Sequence, residues 1–499
     1  MSSAPTGTGA GPDVDVVIIG AGLSGIGAAC RLQARCPGLS WVILEQRPAT
    51  GGTWDLFRYP GVRSDSDMYT LGYAFKPWRQ GRSLADGAAI LDYIRDTAAQ
   101  FGVDRRIRCR SRVTAADFST QDACWHLTVE ETDDGGRTAL RTLTCRFLYS
   151  CTGYYDYRKP YDPGLPGVER FAGTLVHPQF WPEDLDYAGR RVVVIGSGAT
   201  AVTLAPEMAR TASVTMLQRS PTWIGSVPGV DARARALQRL LPARAAHRAI
   251  RARNIVFSTA FYQFCQRLPQ LARRVLTARN RRALASAELV RDHFSPRYDP
   301  WDQRFCAVPD GDLFRAVRTG RVRMVTDTIA GFEADGVRLA SGEVLGADIV
   351  VTATGLQLQA FGGIRPSVDG ETVDLSRQFV WQGAMVSGLP NFAVCIGYTN
   401  ASWTLRADLS HRLVCRVLNW MRRRGFDAAV PAPEPGLRPR PLLDLAAGYV
   451  QRSVDAFPRQ GHRGPWRVRQ NYLLDAPAAR WPNLDRDLQA VGPAGRSAA

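Results

Sequence analysis

Two stretches of this 499-residue chain carry glycines at the spacing that lets backbone approach a pyrophosphate. In "VVIIGAGLSGIGAA", Gly20, Gly22 and Gly25 form GxGxxG, with Ser24 inside the turn. The first glycine permits a tight turn, the second close approach of a phosphate, and the third close helix packing. Glu45 follows at the end of the next apolar run, where a carboxylate accepts hydrogen bonds from ribose hydroxyls and repels a 2′-phosphate. This site suits FAD or NAD. In "VVVIGSGATAVTLA", Gly196, Gly198 and Ala201 form GxGxxA, and Ser197, Ala199, Thr200 and Val202 lie in or continue the turn. Here Arg219 and Ser220 occupy the position equivalent to Glu45. An arginine there pairs in bidentate fashion with a 2′-phosphate, so this site suits NADPH. Opposite preferences at the two turns point to electron transfer from NADPH to FAD.

The elements that must position these turns read as strand, glycine turn, helix and second strand in both places, which predicts an α/β chain with two Rossmann-like domains. Residues 14–165 form the first part of an FAD-binding domain, 166–345 an NADP-binding domain, and 346–480 the rest of the FAD-binding domain. Residues 1–13 and 481–499 read as tails, the first of them too poor in large apolar residues to build a core. "ADIVVTATG" is a further buried strand ending at Gly355, a candidate cofactor contact. A helical, arginine-crowded insertion spans about 229–295. It reads either as a solvated insertion or as a basic amphipathic surface for anionic lipid or a partner.

The net charge of +17 comes almost wholly from arginine, Lys76 and Lys159 being the only lysines. No nucleic-acid-binding signature accompanies it, so nucleic acid is not an expected partner. The ten cysteines have neither CxxC nor zinc-site spacing, which argues against a metal and for free thiols in a cytoplasmic chain, with peripheral membrane contact left open. No signal peptide and no membrane-spanning run is evident. Without a close cysteine pair a dithiol reductase is disfavoured, which leaves reaction of the reduced flavin with dioxygen.

Two longer patterns then identify a family. "GGTWDLFRYPGVRSD" matches [AG]GxWxxxx[FYM]P[GM]xxxD through Gly51, Gly52, Trp54, Tyr59, Pro60, Gly61 and Asp65. "FAGTLVHPQFWP" matches FxGxxxHxxxW[PD] through Phe171, Gly173, His177, Trp181 and Pro182. Both are complete, and the chain resembles the type I Baeyer–Villiger monooxygenases. "RYPGVRSDSDMYTLGY", "PWDQRFCAVPDGDLFRA" and "GYTNASWTLRADL" are similar to the ethionamide-activating branch in particular. The resemblance covers about residues 14–475.

It implies an enzyme that uses NADPH, FAD and dioxygen to turn ketones into esters or lactones, with sulfide oxidation as a second activity. It implies Arg304 as the catalytic cation that keeps an oxygen nucleophile charged, with Asp65 orienting it. By motif, Gly52, Thr53, Trp54, Asp55 and Leu56 fall at the flavin, and Val113 lends backbone to the adenine. Arg63 and Ser64 adjoin both cofactors. His177 is expected to order the linker between the domains, as a packed, hydrogen-bonded residue outside the catalytic set. Two departures stand out: Gln303 replaces a lysine common in relatives, which shifts NADPH recognition onto Arg219 and Ser220, and "PWRVRQN" lacks the glycine of the WxxGxN segment. Trp466 there reads as a core residue. Two alternatives remain: a nitrogen- or sulfur-oxygenating flavin monooxygenase, and a non-catalytic flavoprotein or basic interaction protein.

Overall fold

The computed structural model describes residues 11–443 and 447–492. Of the expected tails, residues 1–10 and 493–499 lie outside the described residues. Val14–Ile19 pairs in parallel with Trp41–Leu44 on one side and with the second half of Thr138–Ser150 on the other. Ile107–Arg108 extends one edge, and Phe392–Val394 adds a parallel strand against Leu148–Ser150. A strand from the last quarter of the chain therefore completes a sheet begun at residue 14. Val16, Val17 and Ile18 are fully buried, as a parallel strand covered on both faces requires. Helices Leu23–Arg35, Gly87–Gln100 and Trp403–Arg424 contribute to one core. The antiparallel strands Ser111–Ser119 and Cys124–Thr132 extend the sheet beside the first half of Thr138–Ser150.

The second sheet has five parallel strands in the order Val322–Thr326, Ser213–Gln218, Arg191–Ile195, Ile349–Thr352 and Thr174–Val176. Ile349–Thr352 was expected in the returning part of the first domain, whose boundary was drawn at 346. Instead it is a central strand of the second sheet, with Val350 opposite Val193. Its apolar run fits any doubly covered sheet, so its pattern does not say which one receives it.

Four helices occupy the insertion: Ala232–Leu240, Ala243–Arg267, Pro269–Leu284 and Ala287–His293. The Asp231 carboxylate caps the first and the Ser286 hydroxyl the fourth, while Pro269 opens the third at a position where no amide hydrogen is needed. The second helix reaches the first domain. Buried Arg251 donates to the carbonyls of Tyr69, Thr70 and Gly72 at 2.9, 3.0 and 2.9 Å. Part of the expected C-terminal tail is ordered, since Leu484–Asp487 is helical and Leu488–Val491 pairs with Ala428–Pro431. Among the described residues no helix is long and apolar enough to cross a membrane.

Candidate active site

Both glycine turns open into one cleft of about 820 Å³ between the two sheets. Gly20 follows Ile19 with φ at +99°, and a Cβ there would stand 2.8 Å from the Cys151 carbonyl oxygen. Only glycine satisfies both conditions. Glu45 lines the cleft but is already engaged: Oε2 accepts from the Ala21 amide at 2.7 Å and Oε1 from the Arg47 amide at 2.9 Å. Burial raises its pKa against these bonds. Ser24, Gly52, Thr53, Trp54 and Val113 also line the cleft. The Ser24 hydroxyl accepts from Trp403 Nε1 at 2.7 Å, and that of Thr53 lies 2.9 Å from Tyr157 Oη.

The second turn sits where helix Ala199–Met208 leaves strand Arg191–Ile195, so its amides face the cleft at a helix N-terminus. Gly196 has φ at +141°, and any Cβ would overlap the Ala353 carbonyl oxygen. At Gly198 no protein atom lies within 4 Å of a Cβ, so only a cleft occupant calls for glycine there. This open cradle fits a dinucleotide phosphate. Ser197, Ala199, Thr200 and Val202 share the wall. Arg219 and Ser220 stand exposed at the rim, and among the described residues Arg219 makes no ion pair. A cation left without a carboxylate suits an incoming phosphate.

Arg304 and Asp65, 239 residues apart, meet between the two turns. Nε lies 3.0 Å from Oδ2, and Nη2 lies 3.0 and 2.8 Å from Oδ1 and Oδ2. This side-on geometry fixes the guanidinium plane. Nearby Arg63 pairs with Asp312 at 2.5 Å, and the Ser64 hydroxyl donates to the Ser66 carbonyl at 2.9 Å. Gln303, Arg63 and Ser64 line the same cleft. His177 Nδ1 accepts from the Gln179 amide at 3.2 Å, which puts the ring proton on Nε2, 3.3 Å from the Gly355 carbonyl oxygen. Burial holds its pKa below the ordinary histidine value. The linker is thereby tied by a neutral ring to the loop that follows Ile349–Thr352.

Four expected cofactor residues do not line the cleft. Gly25 and Ala201 sit in the helices behind the turns, where a Cβ at Gly25 would overlap the Gly20 carbonyl oxygen and Ala201 is fully buried. Leu56 is buried away from the opening. The Asp55 carboxylate is directed to Arg47, Arg95 and Arg58 at 2.6, 3.0 and 3.3 Å. Trp466 is a core residue beside Phe379, and Asn471 caps the helix Tyr472–Arg480. The sequence reading overlooked an aromatic wall of Tyr154, Tyr155 and Trp403, with Tyr154 4.5 Å from Tyr155 and 5.1 Å from Trp403 between ring centroids. A signal was available: "SCTG" and "TATG" end two apolar strands alike, and Thr152, Gly153, Thr354 and Gly355 all border the cleft.

The flavin-binding monooxygenase-like family pattern matches residues 83–237, and the NAD(P)-binding Rossmann-like domain pattern matches residues 18–80. The chain is 51% identical over 475 residues to the FAD-containing monooxygenase EthA of Mycobacterium tuberculosis, covering 95% of this chain and 96% of that one. It is 50% identical over 469 residues to the putative FAD-containing monooxygenase MymA of the same organism, with 93% and 94% covered. Two solved structures share the fold: OTEMO in complex with FAD and NADP (TM-score 0.68, 22% identity, 85% and 87% covered) and an oxidized steroid monooxygenase bound to NADP (0.68, 23%, 84% and 88%).

Proposed function

The chain belongs to the family of FAD-containing monooxygenases, and we propose that it is an NADPH- and FAD-dependent Baeyer–Villiger monooxygenase. It inserts one oxygen atom of dioxygen beside a ketone carbonyl to give an ester or lactone, while the other atom leaves as water at the expense of NADPH. Sulfide oxidation is a secondary activity of the same cleft. The observation that carries this reading is the side-on Arg304–Asp65 pair between two dinucleotide-type turns.

Gly20, Gly22 and Ser24, with Thr53 and Trp54, hold FAD at the first turn. Gly196, Gly198 and Thr200 hold the NADPH pyrophosphate, and Arg219 with Ser220 its 2′-phosphate. Bound FAD, reduced by NADPH, supplies the electrons and activates dioxygen. Arg304 cannot lose its proton at working pH, so it offers a permanent positive charge to the oxyanion that forms when the carbonyl is attacked. Asp65 fixes the plane of that charge and offsets its desolvation. The aromatic wall of Tyr154, Tyr155 and Trp403 excludes water from the same region. Glu45, with each carboxylate oxygen already accepting one amide, anchors the first turn and keeps acceptor capacity for ribose.

The test is to purify the yellow protein and follow NADPH oxidation with linear, cyclic and aryl ketones under ¹⁸O₂. Labelled ester formed in step with NADPH is the expected result. Sulfoxide or N-oxide alone would establish the oxygenating alternative, and NADPH oxidation indifferent to every substrate would leave only a flavoprotein.

A further inference from the structure

Between Ala232 and Leu284 the chain has thirteen arginines and no Asp or Glu. Four are engaged by the protein outside their own helices: Arg251 by the first domain's carbonyls, Arg253 by Asp231, Arg273 by Asp299, and Arg279 by the Ser226 carbonyl. The others are exposed, so the outer faces of the first three insertion helices carry one sign of charge, and the acidic Glu288 and Asp292 stand only on the fourth. On helix Pro269–Leu284 the buried positions Ala272, Leu276, Asn280 and Leu284 follow the helical repeat and face inward. The opposite side carries Leu271 and Val275, one turn apart and 48% and 41% exposed. Arg274 and Arg281 run along one flank of this ridge and Arg282 continues it. At the junction with the preceding helix Leu268 is 53% exposed, and on that helix Phe257 is 72% exposed.

Large apolar side chains left exposed among cations stay hydrated at a free-energy cost that nothing in water offsets. The same pattern is stabilised at an anionic bilayer surface, where the apolar ridge enters the headgroup boundary and the long arginine stems reach back to phosphates. We propose that this insertion docks the protein peripherally on membranes rich in anionic phospholipid, Leu271 and Val275 entering the headgroup region between flanking arginines. Nucleic acid would engage the arginines but has no use for the exposed ridge, and a solvated insertion accounts for neither. The proposal stands independently of the oxidation chemistry, since none of these residues borders the cleft.

The experiment is co-sedimentation of the FAD-loaded full chain with sucrose-loaded vesicles of phosphatidylglycerol and phosphatidylcholine, compared with pure phosphatidylcholine, with 200-base-pair DNA as competitor. Expected are at least tenfold stronger partitioning to the anionic vesicles, loss of most of it in R274E/R281E, and a several-fold loss in L271S/V275S, while NADPH oxidation stays at the parent rate in both variants. Equal partitioning to both vesicle types, or none, overturns the proposal. So does an L271S/V275S variant that binds anionic vesicles like the parent, because the attraction is then charge alone and the surface serves any polyanion. A parent that sediments as an oligomer, fails to bind vesicles, and becomes monomeric on L271S/V275S substitution would show the ridge to be a contact between copies.

Discussion

Trp301 stacks on Phe305, ring centroids 5.8 Å apart and planes 24° from parallel, and Gln303 and Arg304 lie in the turn between them. Trp301 has φ at +76°, a backbone conformation that costs a bulky residue about 1 kcal/mol or more. The insertion holds the stack from outside: Tyr262 stands edge-on to Trp301 at 5.7 Å, and Phe261 edge-on to Phe305 at 5.6 Å. The helix Ala243–Arg267 thus supports the turn that presents the cation.

Arg304→Ala is expected to lower ester formation by about 10²- to 10³-fold, the usual loss for a group stabilising a developing oxyanion, while NADPH oxidation continues. Asp65→Asn should act in the same direction less strongly. Phe261→Ala should lower the ratio of ester to NADPH consumed without removing either cofactor. The check is that ratio, measured with hydrogen peroxide release; full coupling in Arg304→Ala would refute the assignment.

Gly196 and Gly198 should respond oppositely to alanine. Gly196→Ala collides with Ala353 and takes a left-handed φ, so it should yield little folded protein. Gly198→Ala meets no protein atom and should leave Tm within about 2 °C of the parent. Its methyl group would still occupy the phosphate approach, raising KM for NADPH by about tenfold or more. Thermal melts and saturation kinetics on both variants test this, and a Gly198→Ala enzyme with parental KM would place the phosphate elsewhere.

Arg219→Ala removes one charge-assisted contact to a 2′-phosphate, about 1.5–3 kcal/mol, or about 10- to 150-fold in kcat/KM for NADPH. NADH, which lacks that phosphate, should be used as before. An unchanged NADPH-to-NADH preference would move recognition away from this rim.

Two buried histidines, His247 and His411, and the half-buried His177 should make the protein acid-sensitive. Burial lowers the pKa of His177, takes His247 down to about 4, and takes His411, whose Nδ1 lies 2.7 Å from Tyr149 Oη, down to about 3. Each is neutral when folded but protonates near pH 6.5 when unfolded. The unfolded chain therefore binds more protons below that pH. The contribution of these groups is full above about pH 6.5 and falls by up to about 1.4 kcal/mol per pH unit for each of His247 and His411 as pH drops toward their folded values, with His177 adding less because water screens it. Denaturant titrations at pH 7.5, 6 and 5 give the slope, and His411→Gln should flatten it by one histidine's share. A slope that His411→Gln leaves unchanged would show that other groups control the acid response.

What the residues determine by themselves is local. A glycine turn between strand and helix, the contrast of Glu45 with Arg219, and the helical insertion are each set by backbone sterics or charge within a few residues, and so they are legible along the chain. The fold decides what depends on distant partners. Ile349–Thr352 joins the second sheet because Val193 and Leu175 lie beside it there, a fact its own apolar pattern does not contain. Asp55 turns to three arginines and away from the cleft, and Tyr154 meets Trp403 across some 250 residues, because packing brings those side chains together after the strands have paired. The family resemblance named Asp65 and Arg304, but their side-on contact is a property of two domains closing on one cleft. Side-chain geometry across such separations is set by non-local packing, and local preference does not carry it.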